Sequence, residues 1–130
     1  MSVLIVEDDE GVCESLSAVL REEGYEVELA ADGAEGLRRL QRLPLPTLIL
    51  LDLMMPKVDG IGFRRAQLAD PSLRDIPVIL ISARPDIAWQ AEQLGAEDYL
   101  RKPMSFEELL HVVQNRAVTE VGAGTPDRGQ

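Results

Sequence analysis

Five residues with side chains suited to chemistry stand at or just beyond the ends of short apolar runs. Asp52 closes the run LILLD, and Glu7 and Asp8 directly follow the run VLIV. Ser82 closes the run VILIS, and Lys102 comes shortly after the segment EDYL. Burying an unpaired carboxylate costs far more free energy than an apolar contact returns, so the position of Asp52 suggests a specific role.

These residue types together indicate phosphoryl transfer. Three carboxylates that lie close together repel one another unless a cation neutralises them, and Mg²⁺ prefers oxygen ligands of this kind. An ammonium and a hydroxyl beside them, from Lys102 and Ser82, can hold the oxygens of an incoming phosphoryl group. A carboxylate nucleophile in such a setting forms an aspartyl phosphate, and Asp52 is the candidate acceptor.

The elements that must position these residues alternate between strand and helix. Five short apolar or alternating runs each precede a segment with helical spacing, which predicts an α/β fold of the (βα)5 type with a parallel sheet. The first, third and fourth runs are apolar throughout, as in strands covered on both faces. The second run alternates and the fifth is short, as in edge strands. We therefore predict the flavodoxin-like, doubly wound strand order 2-1-3-4-5, in which the strand ends that carry the polar residues meet at one edge.

Side-chain patterns predict which positions face the core. Val27 and Leu29 alternate with glutamates in the second run. In the last helix, Ser105 and Glu108 have capping-box spacing, and the apolar stripe that follows begins at Phe106. The segment from 119 to 130 has no periodicity, so we predict one domain over residues 1–118 and a flexible tail or the start of a linker over 119–130.

Composition narrows the classes of partner. The formal net charge of -10 argues against direct nucleic-acid binding, because phosphate backbones are bound by basic surfaces. A single cysteine, Cys13, excludes an internal disulfide framework. The N-terminus lacks the basic region of a signal peptide, and no apolar run is long enough to span a membrane, so we expect a cytoplasmic protein without membrane contact.

The chain resembles the receiver domain of bacterial two-component response regulators over about residues 2–117. The matching motifs occur in order and are LIVEDD, LLDLMMPKVDG, VILISA, GAEDYL and RKP. The resemblance implies that Asp52 is the phosphoacceptor and that Glu7 and Asp8 position Mg²⁺, with Mn²⁺ as an alternative. It implies that Asp52 and the Met54 carbonyl complete the protein ligands.

The same resemblance implies a signalling switch rather than an enzyme acting on other molecules. Ser82 is then the switch hydroxyl, Lys102 contacts the phosphoryl group, and Tyr99 is the aromatic switch residue. The implied partners are a sensor histidine kinase or phosphotransfer protein, and a downstream protein or attached output domain. The fourth helix, fifth strand and fifth helix would form the signalling surface, with homodimerisation through that surface as one option. The alternative is a pseudo-receiver, an interaction module that works without phosphorylation.

Two further positions bear on how long a phosphoryl group would persist. Met54 lies two residues after Asp52, and Arg84 lies two residues after Ser82. Neither side chain can act as a base at neutral pH. We expect Met54 to exclude water and Arg84 to reach a phosphoryl oxygen, which predicts slow self-dephosphorylation.

Overall fold

The structure is a computed structural model that describes residues 1–54 and 59–122, with side chains as far as residue 116. Five strands and five helices alternate along the chain. They are β1 Ser2–Val6, α1 Glu10–Glu22, β2 Glu26–Ala30, α2 Gly33–Arg39, β3 Leu48–Asp52, α3 Gly60–Ala69, β4 Val78–Ser82, α4 Ile87–Gln93, β5 Asp98–Arg101 and α5 Phe106–Gly122. All strand pairs are parallel, and the sheet order is β2-β1-β3-β4-β5, which confirms the predicted topology.

The sheet is covered on both faces, which explains its composition. Alternate residues of β1 point to opposite sides: Val3 and Ile5 pack with α1 and α5, while Leu4 and Val6 pack on the side of α2, α3 and α4. Every residue of β3 and β4 is buried, as their apolar runs predict. β2 and β5 are the edge strands, and each leaves some of its residues exposed.

Two of the predicted core positions are wrong. Leu29 is 42 % exposed, because β2 is an edge strand and Ala30 rather than Leu29 is buried near its end. Phe106 is 52 % exposed at the first turn of α5, and burial in that helix begins at Leu109. An apolar stripe gives the face of a helix, but it does not show how far the neighbouring elements extend along that face.

The start of α5 agrees with the sequence prediction, and its end lies further along the chain than predicted. Its start is confirmed as a capping box: the Ser105 Oγ accepts the Glu108 N–H at 3.0 Å, and the Glu108 carboxylate accepts the Ser105 N–H at 2.8 Å. Its end lies at Gly122, so residues 119–122 are helical rather than irregular. Residues 123–130 of the predicted tail lie outside the described residues, and the domain boundary stays a prediction.

Within the described part of the chain, no helix combines the length and the apolar character that crossing a membrane requires.

Candidate functional site

The sheet register brings the acidic residues together. Val6 pairs with Leu51, so the next residues along the two strands, Glu7 and Asp52, lie side by side at the carboxyl edge. The Glu7 N–H donates to the Ala30 carbonyl at 3.0 Å, which extends the sheet pairing past the end of β1. Carboxylate oxygens of Glu7, Asp8 and Asp52 all lie within 4.8 Å of one another. The predicted convergence of these three acids is therefore what the structure contains.

Lys102 and Ser82 reach the same edge from the other side of β3. The Lys102 N–H donates to the Ser82 carbonyl at 2.9 Å, which fixes the backbone after β5 against the end of β4. The Lys102 ammonium donates to Glu7 Oε1 at 2.9 Å and lies 3.6 Å from Asp52 Oδ2. The Ser82 hydroxyl is buried and accepts the Arg84 N–H at 3.0 Å.

Gly60 lets helix α3 begin directly against the end of β3. A Cβ at this position would lie 2.4 Å from the Asp52 carbonyl oxygen and 2.6 Å from the Leu53 Cα, both of which are backbone atoms. Only glycine permits this approach without moving the backbone that carries Asp52. Gly60 is the last residue of the motif LLDLMMPKVDG. It was not predicted as a site residue because it has no reactive side chain.

The two buried acids have different surroundings. Glu7 is 1 % exposed, and its second oxygen accepts the Asp9 N–H at 3.2 Å. Asp52 is 3 % exposed, and its Oδ1 accepts the Met54 N–H at 3.1 Å. Asp8, by contrast, is exposed, so the acidic cluster is open to solvent on that side.

Burial and mutual repulsion shape the charges in this site. Burial, with the neighbouring Asp52, raises the pKa of Glu7 to about 7, although the Lys102 ammonium opposes this increase. Burial also works against the charged form of Lys102, but its hydrogen bond to Glu7 and the charge of Asp52 outweigh that effect and raise the pKa of Lys102. The site therefore holds more negative charge than one ammonium can neutralise, and a cation would relieve this imbalance.

Cys13, on α1, contacts the backbone of one of these acids. Its thiol contacts the Glu7 carbonyl oxygen at 3.2 Å, and the side chain is buried. Burial and the nearby carboxylates raise the pKa of Cys13 to about 11. The thiol therefore packs as a small, protonated side chain on α1.

The remaining predicted site residues lie at the edge of this cluster. The Met54 side chain is 58 % exposed, and Tyr99 is 37 % exposed on the edge strand β5. The Arg84 guanidinium pairs with Asp86 through two hydrogen bonds of 2.9 and 3.0 Å. This pair was not predicted from the sequence, although the opposite charges of Arg84 and Asp86, two residues apart, could have indicated it.

A second polar network, also missed from the sequence, lies away from the acidic cluster. Arg64 is 3 % exposed on α3, and its guanidinium donates to the carbonyls of Leu94 and Gly95 at 2.9 Å. It also donates to the Gln67 side chain at 2.7 Å. Burial lowers the pKa of Arg64, but the guanidinium has three acceptors. This network fastens the end of α4 to α3.

Comparisons with known proteins identify the family of the chain. Residues 3–114 match the family model described as "Response regulator receiver domain". The response regulator MprA of Mycobacterium leprae (strain TN) is 43 % identical over 112 residues, which are 85 % of this chain and 48 % of that protein. The MprA of Mycolicibacterium vanbaalenii is 39 % identical over 127 residues, covering 94 % of this chain and 54 % of that protein. The chain thus spans about half the length of these curated relatives.

Solved structures give the same result. The receiver domain of the Francisella response regulator 1452 superimposes with a TM-score of 0.80 at 30 % identity, covering 92 % of this chain and 98 % of that one. The signal receiver domain of a signal transduction histidine kinase from Syntrophus aciditrophicus has a TM-score of 0.82 at 33 % identity, covering 99 % and 94 %. The chain therefore belongs to the family of response regulator receiver domains, the receiving modules of phosphorylation-dependent two-component signalling.

Proposed function

We propose that Asp52 accepts the phosphoryl group. The observation that supports this most is the Asp52 carboxylate, buried at the end of β3, with the Lys102 ammonium at 3.6 Å and two further acids beside it. In the transfer, a carboxylate oxygen of Asp52 forms a bond to phosphorus while the bond from phosphorus to the donor breaks. The donor is a phosphorylated histidine on a sensor kinase or a phosphotransfer protein.

We propose that Mg²⁺, or Mn²⁺ in its place, binds among the acids. The donor set fits a hard divalent cation, because oxygen atoms of Glu7, Asp8 and Asp52 lie within 4.8 Å of one another. Asp8 and Asp52 are the more direct ligands, since one Glu7 oxygen is occupied by Lys102. The Met54 carbonyl is the proposed main-chain ligand. When bound, the cation would neutralise the crowded carboxylates and the phosphoryl oxygens.

Lys102 and Ser82 are proposed to hold the transferred group. Lys102 reaches both Glu7 and Asp52, so a short movement of its flexible side chain brings the ammonium to a phosphoryl oxygen. The Ser82 hydroxyl accepts one hydrogen bond from the Arg84 N–H, which leaves its own proton available for donation to a phosphoryl oxygen. These contacts exist only after phosphorylation, so they supply the free energy of a switch.

The proposed output of the switch is a changed surface on α4, β5 and α5. Movement of Ser82 toward the phosphoryl group vacates space near Tyr99, which is 37 % exposed before the change and can turn inward. Trp89, on α4, is 56 % exposed on the same part of the molecule. A downstream protein or an attached output domain would recognise the changed surface, and homodimerisation through it is one form of that recognition.

The phosphoryl lifetime is proposed to depend on Met54 and Arg84. The exposed Met54 side chain lies beside Asp52 and would hinder a water molecule that approaches the phosphorus. Arg84 is joined to Ser82 through its backbone N–H and can bring its guanidinium to a phosphoryl oxygen. Slow self-dephosphorylation follows.

Intact-mass measurement after treatment with acetyl phosphate tests the proposal. The native protein should gain one phosphoryl group in the presence of Mg²⁺ and none in the presence of a chelator. Asp52→Asn should gain none under either condition while keeping the circular dichroism spectrum of the native fold. Failure of the folded native protein to gain mass with Mg²⁺ present would instead favour the pseudo-receiver alternative.

A further inference from the structure

Helix α4 begins differently from the other helices. Each of the others begins with a residue whose side chain accepts a backbone N–H three residues later, and these residues are Asp9, Asp32, Asp59 and Ser105. Asp86 occupies the same position before α4, yet within the described part of the chain its side chain makes no capping hydrogen bond. The backbone of Asp86, at φ -96° and ψ 22°, also differs from the extended backbone of the three capping aspartates, so its carboxylate is available to another partner.

The Asp86 carboxylate is bound to Arg84 instead. Both of its oxygens accept from the guanidinium, at 2.9 and 3.0 Å, and Gln90 adds a longer contact of 3.4 Å. The hydrogen bonds from Arg84 lower the pKa of Asp86, so the carboxylate stays charged at neutral pH. The planar guanidinium and the carboxylate share two hydrogen bonds. These bonds restrict the relative orientation of the two side chains even near the surface.

The backbone of the same loop is held in place from two sides. The Arg84 N–H donates to the Ser82 hydroxyl at 3.0 Å, so the loop is tied directly to the switch hydroxyl. The Arg101 guanidinium donates to the carbonyls of Arg84 and Pro85 at 3.1 Å each. With the backbone fixed in this way, the Arg84 side chain can change partners by rotating about its own bonds.

We propose that Asp86 is a positioning residue that acts on the Arg84 side chain. It competes with the phosphoryl group on Asp52 for the Arg84 guanidinium. Before phosphorylation, Arg84 pairs with Asp86; afterwards, Arg84 moves to the phosphoryl oxygens and Asp86 is released. This inference rests on the proposed function, since it requires a phosphoryl group on Asp52. Asp86 then affects the lifetime of the phosphoryl group only through Arg84.

Release of Asp86 also changes the start of α4. The freed carboxylate then keeps its 3.4 Å contact with the Gln90 side chain but loses its cation, which leaves a negative charge without its partner at the start of α4. Trp89 is the only tryptophan in the chain, and it is 56 % exposed. Phosphorylation is thereby linked to the first turn of α4, and the fluorescence of Trp89 reports on that turn.

Loss of the phosphoryl group is a hydrolysis, and Arg84 acts on its rate. The oxygen of a water molecule bonds to phosphorus as the bond from phosphorus to the Asp52 oxygen breaks, which regenerates the carboxylate and releases phosphate. The proton lost by the water passes to the phosphate or to solvent. An Arg84 guanidinium on the phosphoryl oxygens covers the approach of water, so more time spent there means slower hydrolysis.

The test measures the phosphoryl lifetime after removal of acetyl phosphate, in a double-mutant cycle of Asp86→Asn and Arg84→Ala. Asparagine keeps the size of the side chain but loses the charge that holds Arg84. We expect Asp86→Asn to lengthen the phosphoryl lifetime by up to about five-fold, the upper end of what measured couplings of exposed ion pairs allow. Arg84→Ala should shorten the lifetime, and Asp86→Asn should have no effect when added to it.

Two further variants and one optical readout complete the design. Glu92→Gln removes an exposed acid from α4 itself and should leave the lifetime unchanged, while Asp86→Glu should stay near the native value. Phosphorylation should alter the Trp89 fluorescence of the native protein, and this change should be smaller in Asp86→Asn, which has no carboxylate to release.

Equal lifetimes for the native protein and Asp86→Asn would overturn the inference, as would the same lengthening in the Arg84→Ala background. Either result leaves Asp52 as phosphoacceptor intact, because all variants would still carry the label. Absence of label on the folded native protein would overturn the proposed function and this inference together.

Discussion

Replacing Glu7 with glutamine should stabilise the metal-free protein above neutral pH. Burial and the neighbouring Asp52 raise the pKa of Glu7 from 4.5 to about 7, and a difference of that size corresponds to about 3 kcal/mol. The folded protein keeps the Glu7 proton up to about pH 7, whereas the unfolded chain loses it near 4.5. The folded state therefore binds more protons in this window, and the free energy of unfolding falls as the pH rises through it.

Glutamine removes this dependence but also weakens one contact. It is neutral at every pH, has nearly the same shape, and can still accept from the Lys102 ammonium now bound at 2.9 Å. The pKa of about 7 already includes the opposing effect of the hydrogen bond with Lys102, so weakening that bond does not reduce the gain further. The net expectation for Glu7→Gln at about pH 8 is a free energy of unfolding higher than native by up to about 3 kcal/mol.

Urea denaturation in a chelating buffer, at about pH 5.5 and about pH 8, measures this difference. Trp89 fluorescence and circular dichroism should give coincident transitions. The native protein should lose stability between the two pH values, and Glu7→Gln should lose much less. Glu14→Gln, at an exposed position on α1, is the matched control and should follow the native protein. If Glu7→Gln loses as much stability as the native protein between the two pH values, the buried carboxyl is not the source of the dependence.

Three further results are expected. Mg²⁺ at ten times its Kd should stabilise the native protein by about 1.4 kcal/mol, raising the melting temperature by several degrees; an equal response in Asp8→Asn would contradict the site. Gly60→Ala should lower the free energy of unfolding, measured in urea, by roughly 2 kcal/mol, because the added Cβ would lie 2.4 Å from the Asp52 carbonyl oxygen. Gly11→Ala is the control and should be neutral or slightly stabilising, because its added Cβ would lie 3.4 Å from its nearest neighbour. Cys13, with a pKa near 11, should resist alkylation at about pH 8 until the protein unfolds; rapid labelling of the native thiol would contradict its burial.

The strand order and the acidic cluster were predictable because they follow from simple patterns. Runs such as LILLD are apolar at every position, which occurs where a parallel strand is covered on both faces. The order of the strands then places their carboxyl ends at one edge, so Glu7, Asp52 and Lys102 had to meet there. The distances among them, 2.9 and 3.6 Å from the ammonium, depend on side-chain conformations that no sequence pattern specifies.

The features that could not be predicted depend on how far neighbouring elements extend. Phe106 belongs to an apolar stripe, but it is exposed at the first turn of α5. Arg64 has the composition of a surface residue on α3, yet it is buried because the carbonyls of Leu94 and Gly95 face it across 30 and 31 residues of chain. Asp86 has the sequence position of a helix cap, and only the structure shows that Arg84 binds its carboxylate.

Locating the phosphoryl group on the chain tests the central claim most directly. Borohydride reduces an acyl phosphate of aspartate to homoserine, and peptide mass spectrometry then identifies the position that was modified. After treatment with acetyl phosphate and Mg²⁺, we predict homoserine at residue 52 and unmodified aspartate at residue 8. Homoserine at any other aspartate, with Asp52 unchanged, would contradict the assignment of Asp52 as the phosphoacceptor.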